Sequence, residues 1–306
     1  MKKLFSTALV LLLAAFPCKL FAQAGQSGLA FLKLGTAGRG VSMADAMAAS
    51  VDGAAATYYN PAGMLGGEEA RTAEVLFTHR EWIEDTRVEY LAGSVRVGEN
   101  HALGFAVNST TVGSIDIRTG PGEATGSFTA RNFAGGLSYA RRVNDDLTVG
   151  ASLKFLYEKI LVDESSGYGI DIGAQYRTPV DHLTVGAEVA NLGRMSSLRS
   201  ESSTLPSLLR IGPAYSFPIG DGTYNGLLAA DLLYVFPESK SYLNCGGEFG
   251  FGNVLAVRGG YQFGSEGRGL TAGFGVRYGF VGLQYAYARL SQDLGDAHSF
   301  SVLLAL

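Results

Sequence analysis

At 306 residues the chain has room for one large domain or two ordinary ones, but 42 glycines against 8 prolines and only 17% charged residues do not suit an ordinary soluble enzyme. The formal net charge is −4, and without Lys2, Lys3 and Lys19 the 24 basic residues fall to 21 against 28 acidic ones, a net −7 that argues against a nucleic-acid partner. Two cysteines, Cys18 and Cys245, exclude a disulfide framework or a Cys-based metal site, because Cys18 lies in a segment expected to be removed.

The first residues read as an export signal, predicted as residues 1–22. Lys2 and Lys3 give the positive start, residues 7–16 form an apolar run too short to span a membrane as a helix, and Ala22-Gln23-Ala24 allows cleavage after Ala22 or Ala24. Phe16 and Pro17 argue against lipidation at Cys18, since lipidating enzymes want small residues there. Downstream there is no apolar run of about 18 residues, so any membrane crossing must use strands.

Residues 25–70 are rich in Ala and Gly and follow no period. Ser42 with Asp45 three residues on predicts a capped helix over 43–49. Asn60-Pro61-Ala62-Gly63 is a turn signal. Asn60 is the foremost single functional candidate, because its side chain can cap the turn and donate to carbonyls where Pro61 withholds a donor. Too small for a domain, the segment is either a periplasmic tail or a plug folded into a lumen.

From residue 71 to 306 the pattern has period two. Tyr168, Ile170, Ile172, Ala174 and Tyr176 alternate with Gly167, Gly169, Asp171, Gly173 and Gln175. The same alternation puts Leu147, Val149, Leu153 and Phe155 against Thr148, Ser152, Lys154 and Glu158, and recurs along residues 270–278. About fourteen such strands are predicted, centred near residues 75, 91, 106, 134, 152, 172, 187, 211, 231, 246, 258, 273, 284 and 302. Tyr157, Tyr176, Tyr215, Phe217, Tyr234, Phe236, Tyr261, Phe263, Tyr285 and Tyr287 fall towards strand ends, where an outer-membrane barrel carries aromatic girdles. The fold class is therefore all-β: a transmembrane antiparallel β-barrel of about fourteen strands. Tight turns at 98–100, 143–145, 179–181, 252–253 and 279 would face the periplasm, and longer loops near 113–124, 162–166, 194–205, 264–268 and 291–296 the outside. Phe300, Val302, Leu304 and Leu306 alternate in a closing strand.

Positions on the inward face carry Lys154, Arg210, Arg258 and Arg277 with Glu158, Asp171, Glu188, Asp231 and Glu248. Opposite signs in one lumen can pair across strands, hold a plug or line a pathway. No G-x-S-x-G element is present, and His79, His101, His182 and His298 are scattered over both ends, which argues against a shared catalytic site. Gly35, Gly38 and Gly40 have the wrong spacing for a phosphate loop and read as turns of the N-terminal segment. No cofactor or metal site is expected.

Phe31-Leu32-Lys33-Leu34-Gly35, Gly38-Arg39-Gly40 and Asp52-Gly53-Ala54-Ala55-Ala56-Thr57-Tyr58-Tyr59-Asn60-Pro61-Ala62-Gly63-Met64 together resemble the N-terminal signature of the PorV/PorQ family, itself similar to FadL-type fatty-acid transporters. Ala297-His298-Ser299-Phe300-Ser301-Val302 looks like that family's closing strand. The resemblance implies a fourteen-stranded barrel with an N-terminal hatch in the lumen, and it departs from the family's glycine-rich pattern at Ala44-Asp45. It implies a non-enzymatic outer-membrane protein serving secretion or surface attachment, with type IX machinery or secreted cargo as partners. The alternative it carries is a FadL-like transporter of hydrophobic small molecules, with a hydrophobic ligand as partner; in either case the barrel meets outer-membrane lipid.

Overall fold

The computed structural model describes residues 27–66, 72–118, 120–198, 201–220, 223–252, 254–292 and 294–306; the signal, Cys18 and the cleavage positions Ala22 and Ala24 lie outside the described residues. The strands are β1 (Ala73–Glu81), β2 (Thr86–Val97), β3 (His101–Ile117), β4 (Gly126–Arg142), β5 (Leu147–Ile160), β6 (Asp163–Arg177), β7 (Leu183–Met195), β8 (Ser197–Leu198), β9 (Glu201–Ser202), β10 (Leu208–Ile219), β11 (Tyr224–Val235), β12 (Lys240–Phe251), β13 (Leu255–Phe263), β14 (Arg268–Tyr278), β15 (Val281–Leu290) and β16 (Asp296–Ala305). All except β8 and β9, which pair only with each other, form one closed barrel in which β16 meets β1. Closure leaves no strand edge bare, which a sheet in hydrocarbon requires.

Period two becomes two environments. On β5, Leu153 and Phe155 are 60% and 54% exposed, while Lys154 between them is half-buried and Ser152 and Leu156 on either side are buried. Outward apolar side chains with nothing of this chain over them are what a lipid-facing wall needs. Aromatic side chains cluster on this wall towards both ends, for example Tyr215 with Phe217 at one end and Tyr261 with Phe263 at the other. The connections 98–100, 143–146, 178–182 and 279–280 are short, whereas 118–125 and 196–207 are the longest and mark the outer end.

Two expected loops are strand instead. Residues 113–117 belong to β3, which continues past the last β2 partner at Val112 and, after a bulge, pairs with β4 as a ribbon above the rim. Residues 163–166 belong to β6, and the connection from β5 is only Leu161 and Val162, with Leu161 left-handed at φ 57°. Above the membrane both faces of a strand are wet, so polarity there does not signal a loop. The β8–β9 hairpin inside the 196–207 connection was not foreseen.

Residues 27–66 fold inside the barrel, so the N-terminal segment is a plug. Val41, Met43, Ala54, Ala56, Tyr59 and Asn60 have no exposed surface. The helix expected over 43–49 is replaced by one over Gly38–Ser42, followed by turns. Ala44 and Asp45 are left-handed at φ 54° and 61°, which no helix permits, and the Asp45 carboxylate is taken by Tyr59 and Arg268 rather than by a cap. Gly38 and Gly40 lie in that helix, not in turns.

The plug sits against inward-facing glycines of the wall. A Cβ on Gly186 of β7 would lie 2.0 Å from the Ala48 carbonyl oxygen. Gly186→Ala is therefore expected to unseat this part of the plug at a cost of about 1–3 kcal/mol. Limited proteolysis checks it: cleavage near Lys33 and Arg39 should accelerate while the strands stay protected, and wild-type rates would refute the tight fit.

Candidate functional site

The lumen and its plug form the site, and the inward charges foreseen from the alternation mostly face the plug. Arg210 on β10 donates to Glu188 of β7 at 2.6 Å and to the Tyr59 carbonyl at 2.7 Å, with its guanidinium 5.4 Å from the Tyr59 ring centroid. Asp231 of β11 accepts from the Ala48 amide at 2.8 Å. Glu248 of β12 is bound by Arg258 of β13 and by Arg39 of the plug at 3.0 Å. Lys154 of β5 pairs with Asp171 of β6 at 2.7 Å and reaches Asn191, a left-handed residue at the β6–β7 register shift. Glu158 stands apart from these ties, opposite Asn132 and Ser165.

Asn60 has the dual part its chemistry suggested. Its amide oxygen accepts from the Ala62 N–H at 3.2 Å, and its amide nitrogen donates to the Ala48 carbonyl at 2.8 Å and the β6 carbonyl of Ala174 at 3.1 Å. One side chain thus caps the turn, crosses the plug and reaches the wall. Pro61 follows as the first residue of a 3-10 turn, Pro61–Leu65. A Cβ on Gly63 would lie 2.5 Å from the Val51 carbonyl oxygen, so only glycine lets these two stretches touch.

Several ties were missed. Arg268, expected in a loop, opens β14 and binds Asp45 at 2.6 Å, while Tyr59 donates to the same carboxylate at 2.6 Å. Arg80, wholly buried on β1, donates to the Gly35 carbonyl at 2.7 Å and lies over Trp82 at 4.2 Å. Its inward parity with Leu76 and Thr78 was the available signal. At the outer mouth Lys33 binds Glu238, in the β11–β12 turn, and Ser27 donates to it at 2.6 Å. Burial works against the Glu238 charge, and the Lys33 and Ser27 bonds outweigh it, holding the carboxyl below its usual range.

Polarity changes along the lumen. In the outer half, Leu29, Phe31 and Leu32 of the plug pack on Ala134, Leu156, Met195 and Leu205. Towards the periplasmic end lies an open cavity of about 900 Å³ bordered by Asp52, Arg96, Arg142, Asp146, Arg177 and Asp181. Beside it a cavity of about 210 Å³ is lined by Arg39, Glu74, Glu248, Arg258 and Arg277. All nine charges expected on the wall face inward, Arg277 among them, which takes part in this lower cavity rather than in a plug tie named above. The histidines do not meet: His79 bonds Glu89, His101 bonds Tyr139 and His298 bonds Tyr285.

Fold and site together define a plugged, fourteen-stranded transmembrane β-barrel. Its shape is similar to that of a channel described as the CymD monoaromatic hydrocarbon channel, with a TM-score of 0.65 at 14% identity over 89% of this chain and 98% of that one. It is likewise similar to the Pseudomonas putida toluene transporter TodX, with a TM-score of 0.62 at 11% identity over 89% of this chain and 97% of that one. No protein-family model and no curated protein matches the sequence.

Proposed function

We propose that the chain is a non-enzymatic conduit for small hydrophobic molecules across the outer membrane, exported by the signal at residues 1–22 and gated by the N-terminal hatch. The observation that carries this is the apolar outer half of the lumen, where Phe31 and Leu32 fill a site walled by Leu156, Met195 and Leu205. A porin for hydrophilic solutes needs a polar interior throughout. The neighbours named as hydrocarbon channels support the same reading.

A secretion or surface-attachment role of PorV/PorQ type needs a broad wet surface for a partner. Several outer connections, such as 161–162 and 236–239, are too short for that, and in the 196–207 connection Leu205 is buried against the plug, which leaves the β3–β4 ribbon as the main projection. The conduit is thus the better-supported reading.

Cells lacking comparable barrels test it. Expressing the chain should speed uptake of a labelled C6–C10 hydrocarbon, and Leu156→Asp, which buries a charge in the apolar half, should return uptake to the vector level. No acceleration over vector, together with a stoichiometric protein partner in mild-detergent extracts, would favour the secretion role.

A further inference from the structure

The wall of the outer half carries a polar patch that the hatch leaves bare. Asn108 on β3 is 4% exposed, yet neither its amide oxygen nor its amide nitrogen has a hydrogen-bond partner. Thr110, the next inward residue, is 2% exposed with an unpartnered hydroxyl. Directly across from it on β4 the Asn132 amide oxygen is also unpartnered, and Glu158 stands opposite Asn132 on β5. Buried polar groups are nearly always satisfied, because each bare one keeps its full desolvation penalty. Four bare atoms on two neighbouring strands, all on one face, mark a place built to bond something else.

A cavity of about 30 Å³ adjoins Asn108, bounded by Leu32, Tyr58, Tyr90, Ala134 and Lys154. That is room for a water or two, or for the polar head of a larger molecule. Beyond it the packing is apolar: Leu32 and Ala134 continue into Leu156, Phe31, Met195 and Leu205. One side of the notch therefore offers hydrogen bonds and the other hydrocarbon.

We propose that this notch is a subsite for a neutral hydroxyl group on a small apolar molecule, an alcohol or a phenol, whose hydrocarbon body takes the place of Leu32 against Ala134 and Leu156. The inference rests on the conduit reading and narrows its substrate class. A carboxamide presents both donor and acceptor, as does the Thr110 hydroxyl, and a ligand hydroxyl answers both at once. A pure hydrocarbon leaves the patch bare. A carboxylate meets the acids Glu158 and Asp171, while the neighbouring cation, Lys154, is already paired with Asp171 at 2.7 Å. An ammonium ion meets Lys154 itself on the same wall.

Equilibrium dialysis of the full-length mature protein in nanodiscs, with empty nanodiscs subtracted, tests the assignment using 1-octanol, octanoate, octylamine and n-octane. The expected result is 1-octanol binding about tenfold or more tighter than the other three. Asn108→Leu should bring 1-octanol to the n-octane level and leave n-octane unchanged. Asn108→Leu should also raise the temperature at which the unheated, fast-migrating form is lost, since it removes an unsatisfied buried amide, so loss of binding will not reflect misfolding. Tighter octanoate or octylamine, or an Asn108→Leu variant that still prefers 1-octanol, overturns the notch while n-octane binding leaves the conduit standing. Absence of binding for all four overturns both.

Discussion

Arg210→Met is expected to destabilise the folded, plugged barrel by about 3–5 kcal/mol, whereas Arg210→Met combined with Glu188→Leu should lie close to wild type. Glu188 is 1% exposed, and one of its carboxylate oxygens already lacks a partner. Arg210 is the cation bound to the other oxygen, so the single change strands a buried charge. Removing both members removes the charge and its penalty together. The same guanidinium also holds the Tyr59 carbonyl, which ties the pair to the plug and not only to the wall. The denaturation midpoint of the heat-modifiable band measures the effect: a large drop for the single variant and recovery for the double one. Equal losses in both would mean that the bond to Tyr59, not the ion pair, carries the stabilisation.

The strands were legible because a barrel wall in lipid imposes one rule on every residue it contains. Ile170 and Ile172 must face hydrocarbon, so Asp171 between them must face the lumen, and a one-residue slip would reverse all three. That rule stops at the rim. Ile115 and Ile117 lie on a strand above the membrane, where Asp116 costs nothing on either side, and the pattern there read as a loop. The plug obeys no period, because its residues are surrounded by wall on all sides and its backbone is irregular. Asn60 could be singled out from the chemistry of an Asn-Pro turn, but its partners Ala48 and Ala174 could not, since a carbonyl leaves no trace in the sequence. Arg39 and Asp45 were visible only as charges among small residues. Their partners Glu248 and Arg268 lie more than 200 positions away, beyond the reach of spacing rules.

Deleting residues 27–66 should leave an inserted barrel but turn a closed lumen into a conducting one. The wall does not need the plug to close: each barrel strand pairs with two others, and β16 meets β1 through eight residue pairs from Glu74–Ala305 to Glu81–His298. Its apolar outer surface, with Leu137 at 71% exposure and Leu153 at 60%, still selects lipid. What the deletion removes is the filling, including Val41, Met43, Ala54 and Tyr59, none of which has exposed surface. Asp231, Glu248, Arg258 and Arg268 would then face water, and a hydrated, charged lumen passes ions. Planar-bilayer recording should show stable unitary steps for the deletion variant where the intact chain shows none. Arg39→Ala, which cuts the tie to Glu248 on the wall and the contacts with Ser50 and Asp52 within the plug, should give brief openings of the same final size, because it loosens the plug without removing it. Unchanged conductance in the deletion variant would mean that the β3–β4 ribbon or the 196–207 connection closes the mouth, and the gate would then lie outside the hatch.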